Sequence, residues 1–316
     1  MSAQAVNVDN FRRAETDTYF RNVVAQGRFG TFGHARDGVD IAHQYVIRMN
    51  LDTWYSSGVF DLSSPLTVHV PDTGGRFISL LVINEDHYVK LVTHELGDYV
   101  VNAEQVGTRY AAVIVRILVN PDDPADVAVV RGLQDQLSAT QASPGALELP
   151  EWDKDSLDAC RAALLALGRF VPPGPGRFGD VDEVDPIRHL VSTAAGWGGN
   201  PPEAALYLGA YPELADGETP HVLRLVDVPV DGFWSVAVYN ADGYFEPNPY
   251  KAYSINNVTG TSDADGGYTV HFGGDPTQSN FLAIMPGWNY VLRLYRPRRE
   301  LLDGTWTPPT AEPVRA

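Results

Sequence analysis

Asn50, Asp52 and Trp54 alternate along MNLDTWYSSGVFDL, residues 49–62, a stretch that reads as a β-strand with too many polar residues. Written from Tyr45, one face of such a strand carries Tyr45, Ile47, Met49, Leu51, Thr53 and Tyr55, a stripe suited to a core. The other carries Val46, Arg48, Asn50, Asp52, Trp54 and Ser56. A cation, an amide, a carboxylate and an indole on one face are what a concave small-molecule site uses: aromatic walls around a few orienting polar groups. A solvent face with one exposed indole is the plain alternative. Arg48 and Asp52 would stand ~13 Å apart along the strand, too far to pair.

Acid–base chemistry at Asp52 needs a partner. Arg76, Asp86 and His87 fall in the following turn and strand, and a carboxylate beside a histidine fixes its tautomer and raises its basicity. His189 is a second candidate, on the side of its helix opposite Ile187, Leu190 and Val191. Arg293, Arg296, Arg298 and Arg299 form the one basic cluster, which reads either as surface charge or as a bidentate receiver for a substrate carboxylate.

Missing motifs narrow the chemistry further. The chain has no Gly-x-Ser-x-Gly elbow, no Walker loop and no Gly-x-Gly-x-x-Gly turn after a strand. THELGD holds His94 and Glu95 without a second zincin histidine, and DADGG lacks the later glutamate of a calcium loop. No cofactor is expected, and a metal held by dispersed His, Asp and Glu is left open.

The elements that must position these residues follow from periodicity and turn chemistry. Residues 8–27 read as a helix closed by Gly27. LTVHV, RFISLLVIN, YVKLVTH and RYAAVIVRILV read as strands, the last of them buried. A helical middle follows. Asp123–Pro124 starts one helix, and EWDKDSLDACRAALLALG forms a second with Cys160 as a small core residue. A third begins at Asp185–Pro186 with Gly196 as the left-handed residue that closes it, and NPPEAALYLG reads as a fourth, capped by Asn200. Residues 170–180, FVPPGPGRFGD, are the linker candidate. From Thr219 strands return: HVLRLVDV, GFWSVAVYN, YSINNV, YTVHF and NYVLRLYRP.

At 316 residues with 44% hydrophobic content, the chain can bury a real core in two domains. A net charge of −17 argues against nucleic acid and an anionic membrane as partners, since both demand a basic face. One cysteine excludes an internal disulfide. The N-terminal residues hold no apolar targeting run, so the cytoplasm is the expected compartment.

NLDTWYSSGVFDLSSPLTVHVPDTGGRFISLLVINEDHYV resembles the N-terminal module called domain of unknown function 1254. Asn50, Asp52, Thr53, Tyr55, Ser56, Pro71, Asp72, Arg76, Asp86 and Tyr88 fill its pattern, with Trp54 in place of Leu and Phe77 in place of Tyr. VDGFWSVAVYNADGYFEPNPYKAYSINN and the segment from Met285 to Pro309 resemble its partner, domain of unknown function 1214. Phe233, Trp234, Ser235, Tyr239, Asn248, Tyr253, Ser254, Pro286, Gly287, Arg293, Tyr295, Pro297, Gly304, Trp306 and Pro308 match there, whereas Asn280–Phe281 departs from the usual Asn-Trp. The resemblance implies paired β-sandwich modules. Some members carry the label carboxylesterase-like, which the missing serine elbow does not support.

The expectation is a mainly β protein with a helical insert: an N-terminal β module at 1–150, helices and linker at 151–215, and a C-terminal β module at 216–316. The expected function is an enzyme acting on a small polar organic molecule, by hydrolysis with activated water or, second, as a lyase or isomerase. Asp52, His87 and His189 would carry the chemistry, and Asn50, Trp54, Tyr55, Arg76, Trp234, Asn248 and Arg293 would bind the substrate. A non-catalytic module that binds a small ligand or a protein is the alternative. Self-association is left open.

Overall fold

The computed structural model describes residues 3–44, 47–171 and 174–314. Among them the chain is mainly β: 16 strands in four sheets, with six helices. It divides into two compact units, neither continuous in sequence. Met1–Arg36, Tyr55–Ile117 and Ala128–Pro202 make the first, so the helices expected as an insert belong to it. Asp37–Trp54, Leu118–Val127 and Glu203–Ala316 make the second.

The first unit is built on a five-stranded sheet in the order Gly33–His34, Thr53–Asp61, Tyr110–Leu118, Ile78–Asn84, Val89–Thr93. The two runs richest in β-branched residues, Tyr110–Leu118 and Ile78–Asn84, pair antiparallel from Ile78↔Ile117 to Asn84↔Ala111 and are buried along their whole length. A second sheet orders Gly97–Val101, Leu66–Val70 and Ser138–Gln141. Asp153 caps the helix Lys154–Gly168 by accepting from the Ser156 N–H, and Asp185 caps Pro186–Gly196 by accepting from Ile187 and Arg188. These helices bury Leu157, Leu164 and Val191 with Phe11 and Ala14 of the N-terminal helix Phe11–Ala25, and Cys160, expected in the core, packs partly buried at its edge.

The second unit is a two-sheet sandwich. One sheet orders Phe281–Leu282, Tyr268–Phe272, His221–Leu225, Glu312–Pro313; the other orders Ser254–Asn256, Trp234–Tyr239, Asn289–Tyr295, Ala205–Ala210. Alternation places Trp234, Val236, Val238, Tyr290, Leu292 and Leu294 against Leu223, Leu225, Val270 and Phe272 in one core.

Three expectations are corrected. NPPEAALYLG is no helix: Ala205–Ala210 pairs with Asn289–Tyr295, because Leu206, Leu208 and Ala210 recur at period two and pack on the sandwich core. The left-handed glycine after Pro186–Gly196 is Gly198, not Gly196. The strand written from Tyr45 starts only at Thr53, because Arg48 adopts a left-handed φ of 55° and Leu51 and Asp52 form a bend; Tyr45 and Val46 lie outside the described residues. Pro172 and Pro173 of the linker candidate also lie outside them.

Within Thr53–Asp61, Gly58 lets residues 28–31 cross close by, where Val59 exchanges backbone hydrogen bonds with Arg28 and Gly30. A β-carbon at Gly58 would run into the Thr31 carbonyl oxygen and meet the Phe60 ring at 2.9 Å. Gly58→Ala is expected to cost about 1–3 kcal/mol, the usual range for overpacking, read as a lowered urea midpoint at unchanged slope.

Candidate functional site

In the second unit, the strand Trp234–Tyr239 turns Trp234, Val236 and Val238 into the sandwich and Ser235, Ala237 and Tyr239 to the other face. Register sets Ser235 opposite Asn256 on one side and Arg293 on the other, and Arg293 opposite Tyr207. Ser254 stands opposite Ala237 one rung along. A sheet face this polar would ordinarily meet water, yet Ser235, Asn256 and Arg293 are all buried. Ile41, Met49 and Leu51 cover it by packing on Ala237, Tyr239, Phe245 and Val291.

Asp52 lies in this covering segment and is 3% exposed. Its Oδ1 accepts from Ser254 Oγ at 3.1 Å and from Asn256 Nδ2 at 3.2 Å. Asn50 shapes the bend: its Oδ1 accepts from the Asp52 N–H at 2.8 Å, while its Nδ2 donates to Tyr295 Oη at 2.9 Å and Thr53 Oγ1 at 3.2 Å. Arg293, also 3% exposed, donates through Nη2 to the carbonyls of Arg48 at 2.9 Å and Met49 at 3.2 Å, and to Tyr239 Oη at 2.6 Å. Tyr239 Oη donates onward to the Met49 carbonyl at 2.7 Å. The Arg48 and Arg293 guanidinium carbons lie 5.5 and 5.7 Å from the centre of the Tyr239 ring.

Burial opposes the charge on Arg293, but Tyr239, Tyr295 and Asp52 outweigh it and hold the pKa above the ordinary arginine value. Burial also raises the Tyr239 pKa, with Arg293 opposing. Buried atoms at this face without a hydrogen-bond partner among the described residues include Asp52 Oδ2, Ser235 Oγ and Arg293 Nη1, with Asn289 Oδ1 and Arg48 Nη1 beside them. The first three comprise an acceptor, a hydroxyl and a donor. Leaving one such group unsatisfied costs about 1–3 kcal/mol, more when it is charged.

The two candidate histidines belong to the first unit. His87 has a left-handed φ of 66° in a turn where Asn84 Oδ1 accepts from the N–H groups of Asp86 and Tyr88. Its Nε2 accepts from the Gly198 N–H at 2.9 Å, so Nδ1 carries the proton and donates to Thr193 Oγ1 at 2.9 Å; that hydroxyl donates to the His189 carbonyl. His189 Nδ1 donates to the Arg177 carbonyl at 2.9 Å. Rings stack in the order Tyr88, His189, His87, Trp197, with centroids 4.8, 5.2 and 5.6 Å apart. His189 was expected opposite its helix's core residues. It is buried instead, and Ile187 is the exposed one at 73%. Burial first, then His189 and Arg12, push the His87 pKa well below 6.5, and burial lowers that of His189. Both rings are therefore packing elements whose burial favours the neutral form; the Gly198 N–H fixes the tautomer of His87, while His189 Nε2 also faces the Asp86 carbonyl at 3.4 Å.

The remaining candidates scatter. Trp234 packs in the sandwich core, edge-on to Tyr268 at 5.0 Å, and is no wall of the polar face. Asn248 Oδ1 accepts from the N–H groups of Tyr250 and Ala252 and so closes a turn. Tyr55 lies under the Arg116 guanidinium at 5.2 Å in the first unit. Arg76 closes a turn with Thr73 there, and Arg13 binds Asp86 through two hydrogen bonds. Trp54 is buried beside Gly38. Of the basic cluster only Arg293 is central; Arg298 and Arg299 pair with Asp231 and Asp303 at the surface. Ser235, Tyr239, Ser254 and Asn256 were not singled out from the sequence as site residues. The signal for three of them was the domain resemblance, which matches Ser235, Tyr239 and Ser254.

The comparisons agree with that resemblance. The model of the family described as protein of unknown function (DUF1254) matches residues 29–101, and that of the family described as protein of unknown function (DUF1214) matches residues 209–299. The chain therefore carries the paired domains that its sequence motifs indicate. No curated protein matches it. Among solved structures, the VPA0106 protein from Vibrio parahaemolyticus is similar over 98% of both chains, with a TM-score of 0.74 at 17% identity. An uncharacterised protein from Burkholderia cenocepacia is similar over 97% of this chain and 87% of its own, with a TM-score of 0.55 at 13% identity. Those likenesses concern the fold alone. Among the described residues no helix is long and apolar enough to cross a membrane, and no three His, Cys, Asp or Glu gather as metal ligands.

Two tests follow from the geometry. Asp52→Ala takes the acceptor from Ser254 and Asn256 and the nearby carboxylate from the Arg293 charge, and is expected to cost about 1–3 kcal/mol; adding Arg293→Met should cost less than the two single changes summed, a coupling read by a double-mutant cycle in urea. His87 should keep its Nδ1–H form in nitrogen NMR spectra well below pH 6.5, the ordinary histidine value. Because the unfolded chain takes up that proton first, the histidine contributes stability above pH 6.5 that falls as the pH drops below it.

Proposed function

We propose that the second unit binds a small polar organic molecule at the row Asn256–Ser235–Arg293, and that it does so without catalysis. The observation that carries this reading is that Asp52 Oδ2, Ser235 Oγ and Arg293 Nη1, all buried and without partners, belong to residues at one sheet face. A matching ligand offers a hydroxyl or ammonium donor to Asp52 and a carboxylate to Arg293. It reaches the row when residues 49–52 lift from the sheet, since these residues cover it. The catalytic reading with Asp52 and a histidine has less support. No described histidine hydrogen-bonds to Asp52, and both ring nitrogens of His87 are committed within its own unit.

Titration calorimetry with short hydroxy, amino and dicarboxylic acids tests the proposal. Saturable binding of a carboxylate-bearing member is expected, weakened about tenfold by Ser235→Ala, the ~1.4 kcal/mol of one hydrogen bond, while the melting temperature of the ligand-free protein does not fall. Absence of binding, or equal affinity in Ser235→Ala, overturns it. Turnover of an ester, lactone or carboxylate that Asp52→Asn abolishes would restore hydrolysis, lyase or isomerase chemistry in its place.

A further inference from the structure

The N-terminal helix Phe11–Ala25 turns three polar residues inward: Glu15, Thr16 and Asp17 are all buried. Two are matched. Arg161 binds Glu15 through Nε at 2.9 Å, and the Trp197 indole N–H donates to Thr16 Oγ1 at 3.0 Å. Asp17 is the exception. It is 0% exposed, its Oδ2 accepts only from the Trp152 indole N–H at 2.8 Å, and its Oδ1 has no partner among the described residues.

The charges around Asp17 make the imbalance worse. Glu85, buried in the turn after Ile78–Asn84, uses Oε2 to accept from the Tyr110 N–H at 3.1 Å, and its Oε1 stands 3.7 Å from Arg13. Arg13 is already committed to Asp86 by bonds of 2.9 and 2.7 Å, so one cation serves three carboxylates. Arg21, from the same helix, reaches the Leu149 and Pro150 carbonyls and Glu151. The segment beneath is thus pinned to the helix by Arg21 and by Trp152, and Gln4 adds backbone hydrogen bonds to Glu151 and Asp153.

We propose that Asp17 is an acid-tightened latch: holding a proton, it keeps the inward face of the N-terminal helix uncharged where it packs, and releasing that proton to solvent leaves a buried anion beside Glu85 that destabilises this packing. Burial, with Glu85 adding, pushes the Asp17 pKa up to about 6, against the opposing pull of Trp152, Arg13 and Arg21. Burial raises Glu85 as well. Because the unfolded carboxyl titrates near 3.8, the stabilising contribution is complete below that value and is lost as the pH rises through about 6.

Trp152 supplies the readout. Its fluorescence in the full-length protein should change with a midpoint at about pH 6, a change absent from Trp152→Phe and from Asp17→Asn. Urea titration should show the folding equilibrium constant of Asp17→Asn, relative to wild type, growing about tenfold between about pH 5 and about pH 7.5. His87 and His189 titrate alike in both proteins and drop out of that ratio. Glu85→Gln should move the fluorescence midpoint downward, which keeps the test open if Asp17→Asn fails to fold. A pH-independent ratio, a transition that survives Asp17→Asn, or a midpoint that ignores Glu85→Gln overturns the latch.

Discussion

A guanidinium inside a β-sandwich face is the constraint from which the second unit's other features follow. Arg293 stands mid-strand, and its neighbours across the sheet are Ser235 and Tyr207, neither able to neutralise it. The charge needs carbonyl oxygens and a carboxylate brought from elsewhere in the chain. Arg48 and Met49 supply the carbonyls, and Asp52 supplies the carboxylate. A regular strand from residue 45 would point its carbonyls sideways into a ladder. The left-handed turn at Arg48 and the Asn50 bend release them, so the polar residues of MNLDTWYSSG shape a bend that serves Arg293.

That dependence explains what could be read from the sequence. Most strands were visible because alternation and β-branching report burial of one or both faces, as in Tyr110–Leu118, Ile78–Asn84 and Trp234–Tyr239. Asn50, Asp52 and Arg293 were also singled out from the sequence, and all three lie in the second unit. Their conformation was not visible. A period-two pattern cannot register that the backbone at Arg48 turns left-handed, since that depends on a side chain 245 residues away. Ala205–Ala210 failed for a related reason: Asn200 and the prolines satisfy a helix cap locally, but Asn200 accepts from Arg116 and the residues after it find a sheet edge to join.

His87 and His189 show the opposite error. A histidine near an aspartate in sequence invites an acid–base reading, but residue type says nothing about whether its nitrogens are free. In the first unit a backbone N–H, a threonine hydroxyl and a carbonyl use them, and aromatic faces enclose both rings. A neutral imidazole so held is a flat polar spacer, able to satisfy main-chain groups at a turn where an apolar ring would leave them bare.

The two family matches and the two compact units divide the chain differently, and the buried arginine is the reason. Residues 29–101 match the first family, yet Asp37–Trp54 within them fold with residues 203–316, which contain the whole match to the second. Asn50 and Asp52 come from the first match; Ser235, Tyr239, Ser254, Arg293 and Tyr295 come from the second. Without the segment from the first match, the sheet face would expose Ala237, Val291 and Phe245 beside a charge stripped of its partners. Neither matched segment is therefore self-sufficient around Arg293. The second unit folds as a sandwich whose outer face is completed by chain from the first match, through apolar packing and through the partners of one buried charge.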